Sequence, residues 1–192
     1  MTSSELNELF ERVQRLSVKL EDKNGDQFQW DAILSDGTEV TYVVKNLKNL
    51  NDLQDEISNL FIWTWNIKDY LKEFIKKQGL CKFDIERMVN RCESLSVCAD
   101  LANRLKHGNL SKSRSGHFPR LGKMKLEAGQ EAFSSIAFRE KEVEFDFSNP
   151  QLVKFSVPVI SKTNKFLGDG FNFVFKSIDR WEEYFEEIKN AR

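Results

Sequence analysis

Apolar residues return at spacings of three and four in several long stretches of this chain. Leu6, Leu9, Phe10, Val13, Leu16 and Leu20 form one such face, with Ser3 or Ser4 as its cap. They predict a first helix over about 3–23, closed at Asn24-Gly25. The period then changes to two. Phe28, Trp30, Ala32 and Leu34 alternate, Asp36-Gly37 follows, and Val40-Thr41-Tyr42-Val43-Val44 is rich in β-branched residues, so 27–44 reads as a hairpin.

A second helix is predicted over about 50–78, with Leu53, Ile57, Leu60, Phe61, Ile67, Leu71, Phe74 and Ile75 on its buried side. Between Leu60 and Trp65 it is apolar nearly all round. Such a helix is either central in a bundle or lies in a subunit interface. Gln78-Gly79 ends it, and a third helix runs from about 83 to 107, ending at Gly108. The short connection predicts that these two helices are antiparallel neighbours.

Breakers such as Gly108-Asn109, Ser115-Gly116, Pro119 and Gly122 make 108–130 a loop. Two or three strands follow within about 134–161, with a turn at Asn149-Pro150. A last helix is predicted over about 171–190 from Phe171, Val174, Ile178, Trp181, Phe185 and Ile188. Phe171, Phe173 and Phe175 also alternate, so its first turn could equally begin as a strand. The expected fold is therefore α+β but mainly α. It is a single domain over 1–192, a bundle of about four helices around two long antiparallel ones, with a small hairpin and a short antiparallel β segment.

Composition agrees with a packed core: 40% of residues are hydrophobic, 31% are charged and 16 are Phe. No apolar run is long enough for a transmembrane helix. The N-terminal residues are acidic where a secretory leader would be basic and then apolar. The three cysteines, Cys81, Cys92 and Cys98, are odd in number and lack a framework spacing, so a reducing cytoplasm is the expected home. With no CxxC and only two histidines, a structural zinc site is not expected, and no motif calls for a metal or another cofactor.

Net charge is −1, which announces no polyanionic partner for the molecule as a whole. Local charge is more telling. From Arg104 to Leu126 there is no acidic residue, while Arg104, Lys106, Lys112, Arg114, Arg120, Lys123 and Lys125 all fall there, as do both histidines, His107 and His117. Such a basic loop could meet phosphates, or could be solvent-facing charge balanced by the acid-rich C-terminal helix. Just before it, at about 100° per residue, Asp100, Asn103, Arg104 and His107 share one stripe at the end of the third helix. The helix terminus favours a cation at His107. The stripe is either a candidate acid–base site or a solvated polar face. Cys98 and His107, nine residues apart, face opposite sides of that helix and form no local dyad.

The stretch Asp100-Leu-Ala-Asn-Arg-Leu-Lys-His107 resembles the Asn-x-x-Lys-His helix end of HEPN-like proteins (higher eukaryotes and prokaryotes nucleotide-binding). Trp63-Thr-Trp65-Asn-Ile-Lys-Asp69-Tyr is similar to the Trp-rich helix that precedes it in bacterial relatives. The resemblance spans about residues 55–110. It implies a helical protein of toxin, antiphage or stress systems, acting as a dimer. Active members are metal-independent RNases that carry an Arg, a polar residue, three variable residues and a His. Asn103 matches the polar position and His107 the His, but Ala102 stands where the Arg belongs.

Two functions follow. In the first, favoured by Ala102, the chain is a non-catalytic binding module whose partner is RNA or a protein. In the second it is a metal-independent endoribonuclease. His107 would then act as general acid or base, Arg104 would stabilise phosphate charge, and Asn103 and Asp100 would complete the site. The basic residues Lys106, Lys112, Arg114, Arg120, Lys123 and Lys125 would hold the nucleic acid in either case, and a homodimer would form along the apolar second helix.

Overall fold

A computed structural model of the chain describes residues 2–191. In chain order the elements are α1 (Ser3–Glu21), β1 (Phe28–Ile33), β2 (Glu39–Lys45), α2 (Leu50–Lys77), α3 (Ile85–Arg91), α4 (Glu93–His107), β3 (Arg120–Leu121), β4 (Lys125–Glu127), β5 (Phe133–Arg139), β6 (Glu142–Phe147), β7 (Lys154–Ser156), β8 (Pro158–Ile160), β9 (Phe166–Asp169) and α5 (Gly170–Lys189). No described helix is long and apolar enough to cross a membrane.

The expectation of a mainly helical bundle with a small hairpin is overturned. Among the described residues there are five helices and nine strands, the strands forming three sheets, so the fold is α+β with a substantial β part. The strands that escaped sequence reading are two to four residues long. Alternation needs at least four residues to be legible, so β3 and β4 carry no signal of their own and β9 only the shortest readable one. The chain divides into two compact units, one of residues 1–19, 55–123 and 157–192, the other of residues 20–54 and 124–156.

In the first unit α5 is the hub. Its Phe185 stacks on Phe10 of α1 at 5.2 Å and meets Phe74 of α2 edge-on at 6.0 Å, while Trp181 lies 6.5 Å from Trp65 of α2. Trp181, Phe61, Leu60, Ile67 and Leu71 are fully buried. Each such side chain contributes roughly 1.5–3 kcal/mol over its exposed state. The all-round apolar part of α2 is thus largely covered by the chain itself. Trp63 is half-buried, under the Arg12 guanidinium at 4.6 Å. The second long helix of the expected pair does not exist as one piece. Cys92 takes an extended conformation and separates α3 from α4. No Gly or Pro marks this break. It is stabilised by Ser96, whose buried hydroxyl donates to the Val89 carbonyl at 2.9 Å, a side-chain bond to backbone that competes with the helical ladder.

α1 is capped by Thr2, one residue before the expected serines. The Glu5 N–H donates to Thr2 Oγ1 and the Thr2 N–H to Glu5 Oε2, a reciprocal capping box. At the other end of the chain the ambiguous Phe171 segment is helical from its first residue. Asp169 Oδ1 accepts the Phe171 N–H at 2.9 Å and Oδ2 the Val157 N–H at 2.9 Å. A Cβ on Gly170 would lie 2.6 Å from Val157 Cγ1, so glycine is required where α5 starts against Val157.

In the second unit β1 and β2 form the expected hairpin, but β2 also pairs in parallel with β6, giving the order β1-β2-β6-β5. On one face Val44, Leu47, Ala132, Phe147 and Val153 make a small core with Phe133, Phe145 and Phe155. The opposite face carries charge pairs, among them Lys45–Glu144 at 3.0 Å and Arg139–Glu142 at 2.7 Å.

Candidate functional site

Helix α4 is buried from Leu95 to Ala102 and emerges over its last turn. Gly108, at φ +70, takes the left-handed cap that turns the chain back along the helix. This geometry splits the polar stripe expected from helical periodicity. His107 and Lys106 are exposed, Asn103 and Arg104 are half-buried, and Asp100 is 1% exposed. Asp100 therefore does not join the others. A shared angular position on a helix does not confer shared exposure when the returning loop covers one end of the stripe.

What Asp100 does is hold that loop. Its Oδ1 accepts the Arg114 N–H at 2.7 Å. Its Oδ2 accepts the Ser115 N–H at 2.9 Å, the Ser115 hydroxyl at 2.7 Å and the Ser113 hydroxyl at 2.6 Å. Ser113 Oγ in turn accepts the Phe118 N–H at 3.1 Å. A buried carboxylate surrounded by four donors is strongly retained, because removing it strands buried N–H groups. The acid-free segment is therefore an ordered loop built on one acid, where breaker composition alone predicts an irregular one. The signal was available: Asp100 is the last acid before a donor-rich Ser-Arg-Ser in a stretch that offers those donors no other acid.

The predicted phosphate-binding residues are not equivalent. Lys106 donates to Asn66 Oδ1 at 2.6 Å. Arg114 is committed to Glu86 at 2.7 Å and Asn90 at 2.8 Å, and its guanidinium lies 5.5 Å from the Trp65 ring. Lys72 also pairs with Glu86, and the two cations hold that carboxyl down at about 2, the Lys72 bond being the larger cause and partial burial opposing it. Arg120 donates to Asn164 at 2.9 Å yet stays exposed, as do Lys112 and Lys123. Lys125 falls in the other unit.

A second acid-free stretch runs from 147 to 168. Its part 157–168 lies in the same unit as Arg104 to Lys123 and is joined to that segment by structure. β3 pairs with β8 and β8 with β9. The Lys162 N–H donates to the His117 carbonyl at 3.0 Å, and the Lys162 ammonium lies 5.5 Å from the Phe118 ring. This face carries Arg120, Lys162 and Lys165, with His117 beside them, and neither contributing segment holds an acid. The whole unit has twenty-two basic residues against seventeen acidic, while the other has thirteen acidic against seven basic. The near-zero net charge thus hides a separation of sign.

The Arg104 Nε is buried and has no hydrogen-bond partner. Cys98 is buried against the Phe61 carbonyl at 3.8 Å, and burial pushes its thiol up to about 12, which removes it from nucleophilic chemistry. Among the described residues no three His, Cys, Asp or Glu side chains gather as metal ligands would. No protein-family model, curated protein or solved structure matches this chain.

Proposed function

We propose that the chain is a non-catalytic binding module that docks single-stranded RNA on the face built from 104–123 and 157–168. The observation that carries this reading is the Asp100 clamp. It organises an acid-free segment beside a second acid-free turn, so that cations are presented with little ordering left to do on binding. Phe118 and His117 offer ring surface among these cations. The HEPN-like resemblance of the Asn103–His107 helix end would place such binding in a bacterial defence or stress system. The withdrawal of Asp100 from the stripe into the loop clamp, together with Ala102 at the Arg position, supports binding over turnover.

Fluorescence anisotropy with a labelled single-stranded 20-mer tests it. If Lys112, Arg120, Lys162 and Lys165 each neutralise one phosphate, log Kd should rise with log salt at a slope of about 3, so that raising salt fourfold weakens binding roughly 50-fold. Changing all four to Gln should flatten that slope. Absence of saturable binding, or a slope unmoved by these changes, removes the proposal.

One observation favours a second reading, a metal-independent RNase. The unpartnered Arg104 Nε lies one helical turn before the exposed His107, so a cation with an unused donor accompanies a candidate acid–base group. RNA cleaved by the natural protein and left intact by His107→Ala would establish that reading in place of the first.

A further inference from the structure

The first unit contains an open cleft of about 450 Å³ between residues 82–84 with one side of α3 (Arg87, Met88, Arg91) and Arg180 and Tyr184 of α5. This volume lies in the range of small-molecule sites. Its floor is apolar. Tyr184 is 5% exposed, Met88 is buried, and Phe83 meets the Tyr184 ring edge-on at 5.9 Å. Its rim is cationic, with Lys82, Arg87 and Arg91 all exposed.

The charges around the cleft are disposed to leave that rim unneutralised. Arg180 is held by Glu183 at 2.9 Å and Glu187 at 3.1 Å, so its charge is spent within α5. Glu86 turns to Lys72 and Arg114. Asp84, the one carboxylate among the lining residues, accepts the Arg87 N–H at 3.0 Å as the cap of α3 and keeps its charge, one acid against the three rim cations. Among the described residues no ion pair is formed by Lys82, Arg87 or Arg91, and Lys82 only overlies the Phe83 ring at 5.4 Å. Arg87 and Arg91 are four apart on one helix, an arrangement of like charges that weakens a helix unless an anion bridges it. Burial, reinforced by the Asp84 and Glu187 charges, pushes the Tyr184 hydroxyl up to about 12, so it keeps its proton and remains a donor.

We infer that this cleft binds a small aromatic phosphate, with the ring on the Phe83–Tyr184 floor and the phosphate bridged by Arg87 and Arg91 with Lys82 at its side. Guanidinium groups suit this task because each can donate two parallel bonds to phosphate oxygens. The ring half is needed because the cleft exposes apolar and polar surface in comparable measure, and the cationic rim accounts only for the polar part. The site is separate from the RNA face, and either can fail without the other.

Calorimetric titration of the full chain with 1-naphthyl phosphate tests the inference, with inorganic phosphate and Arg87→Gln/Arg91→Gln as comparisons. Both arginines are exposed, so the double variant should fold and should bind RNA as the natural protein does. The expected result is saturable binding of the naphthyl ester, at least tenfold weaker for the double variant and at least tenfold weaker for inorganic phosphate. No saturable heat, equal affinity in the double variant, or inorganic phosphate binding as tightly as the ester would overturn the proposal. So would displacement of the ester by single-stranded RNA, which would make the cleft part of a polymer track.

Discussion

Replacing Asp100 by Asn alters one atom of the buried clamp and almost nothing of its volume. In the natural side chain Oδ1 serves one donor and Oδ2 serves three. The amide can keep its oxygen at the Oδ2 place, but its NH₂ then confronts the Arg114 N–H. Flipped, it confronts the Ser115 N–H, while the two serine hydroxyls can rotate to accept from it. Either way one inward-facing N–H loses its acceptor, at a cost of roughly 1–3 kcal/mol, and the remaining bonds lose their charge assistance. Loop residues 113–115 are partly solvent-accessible, so some of this loss is recovered by water. A destabilisation of about 2 kcal/mol results, which for a chain of this size lowers Tm by roughly 4–8 °C. Urea unfolding should show a lower midpoint at unchanged slope. Hydrogen exchange should show the Arg114 and Ser115 amides losing protection ahead of the helix core. RNA affinity should fall as well, since the cationic loop would have to be ordered on binding. Stability within about 0.5 kcal/mol of the natural protein, with both amides still protected, would refute the clamp.

Acid should weaken the Lys72–Glu86–Arg114 network. The Glu86 carboxyl sits at about 2 in the folded chain against 4.5 ordinarily, so its stabilisation is complete above about pH 4.5 and is lost as pH falls toward 2. Because Glu86 is 40% exposed, solvent screening reduces the effect to about 1 kcal/mol, and Glu86→Gln should remove that pH-dependent increment from acid denaturation curves. Asp169→Ala deletes the α5 cap and strands the Val157 N–H; a loss of about 2 kcal/mol is expected in urea unfolding, and roughly half of it for Asp169→Asn. Thr64 is fully buried in α2 with a hydroxyl that has no partner, so Thr64→Val should leave stability unchanged or raise it by up to about 1 kcal/mol, and a lowered Tm would show that the hydroxyl is satisfied after all.

Long-period patterning was legible in the residues themselves. α1, α2 and α5 and the β1–β2 hairpin lie within two residues of where periodicity and turn chemistry place them, because each is long enough to repeat its own pattern. The basic character of 104–125 was equally open to view, since charge is additive along a sequence. Tertiary structure decided the rest, because it depended on contacts between distant residues. β6 joins β2 in parallel about a hundred residues away, the break at Cys92 rests on the Ser96 hydroxyl, and α5, the last element, gathers α1 and α2 through Phe185 and Trp181. Periodicity assigned Asp100 to an exposed stripe because it registers angle about a helix axis and not what returns to cover it. The covering loop turned that carboxylate inward, and the pairing of β3 with β8 set a second acid-free segment beside the first.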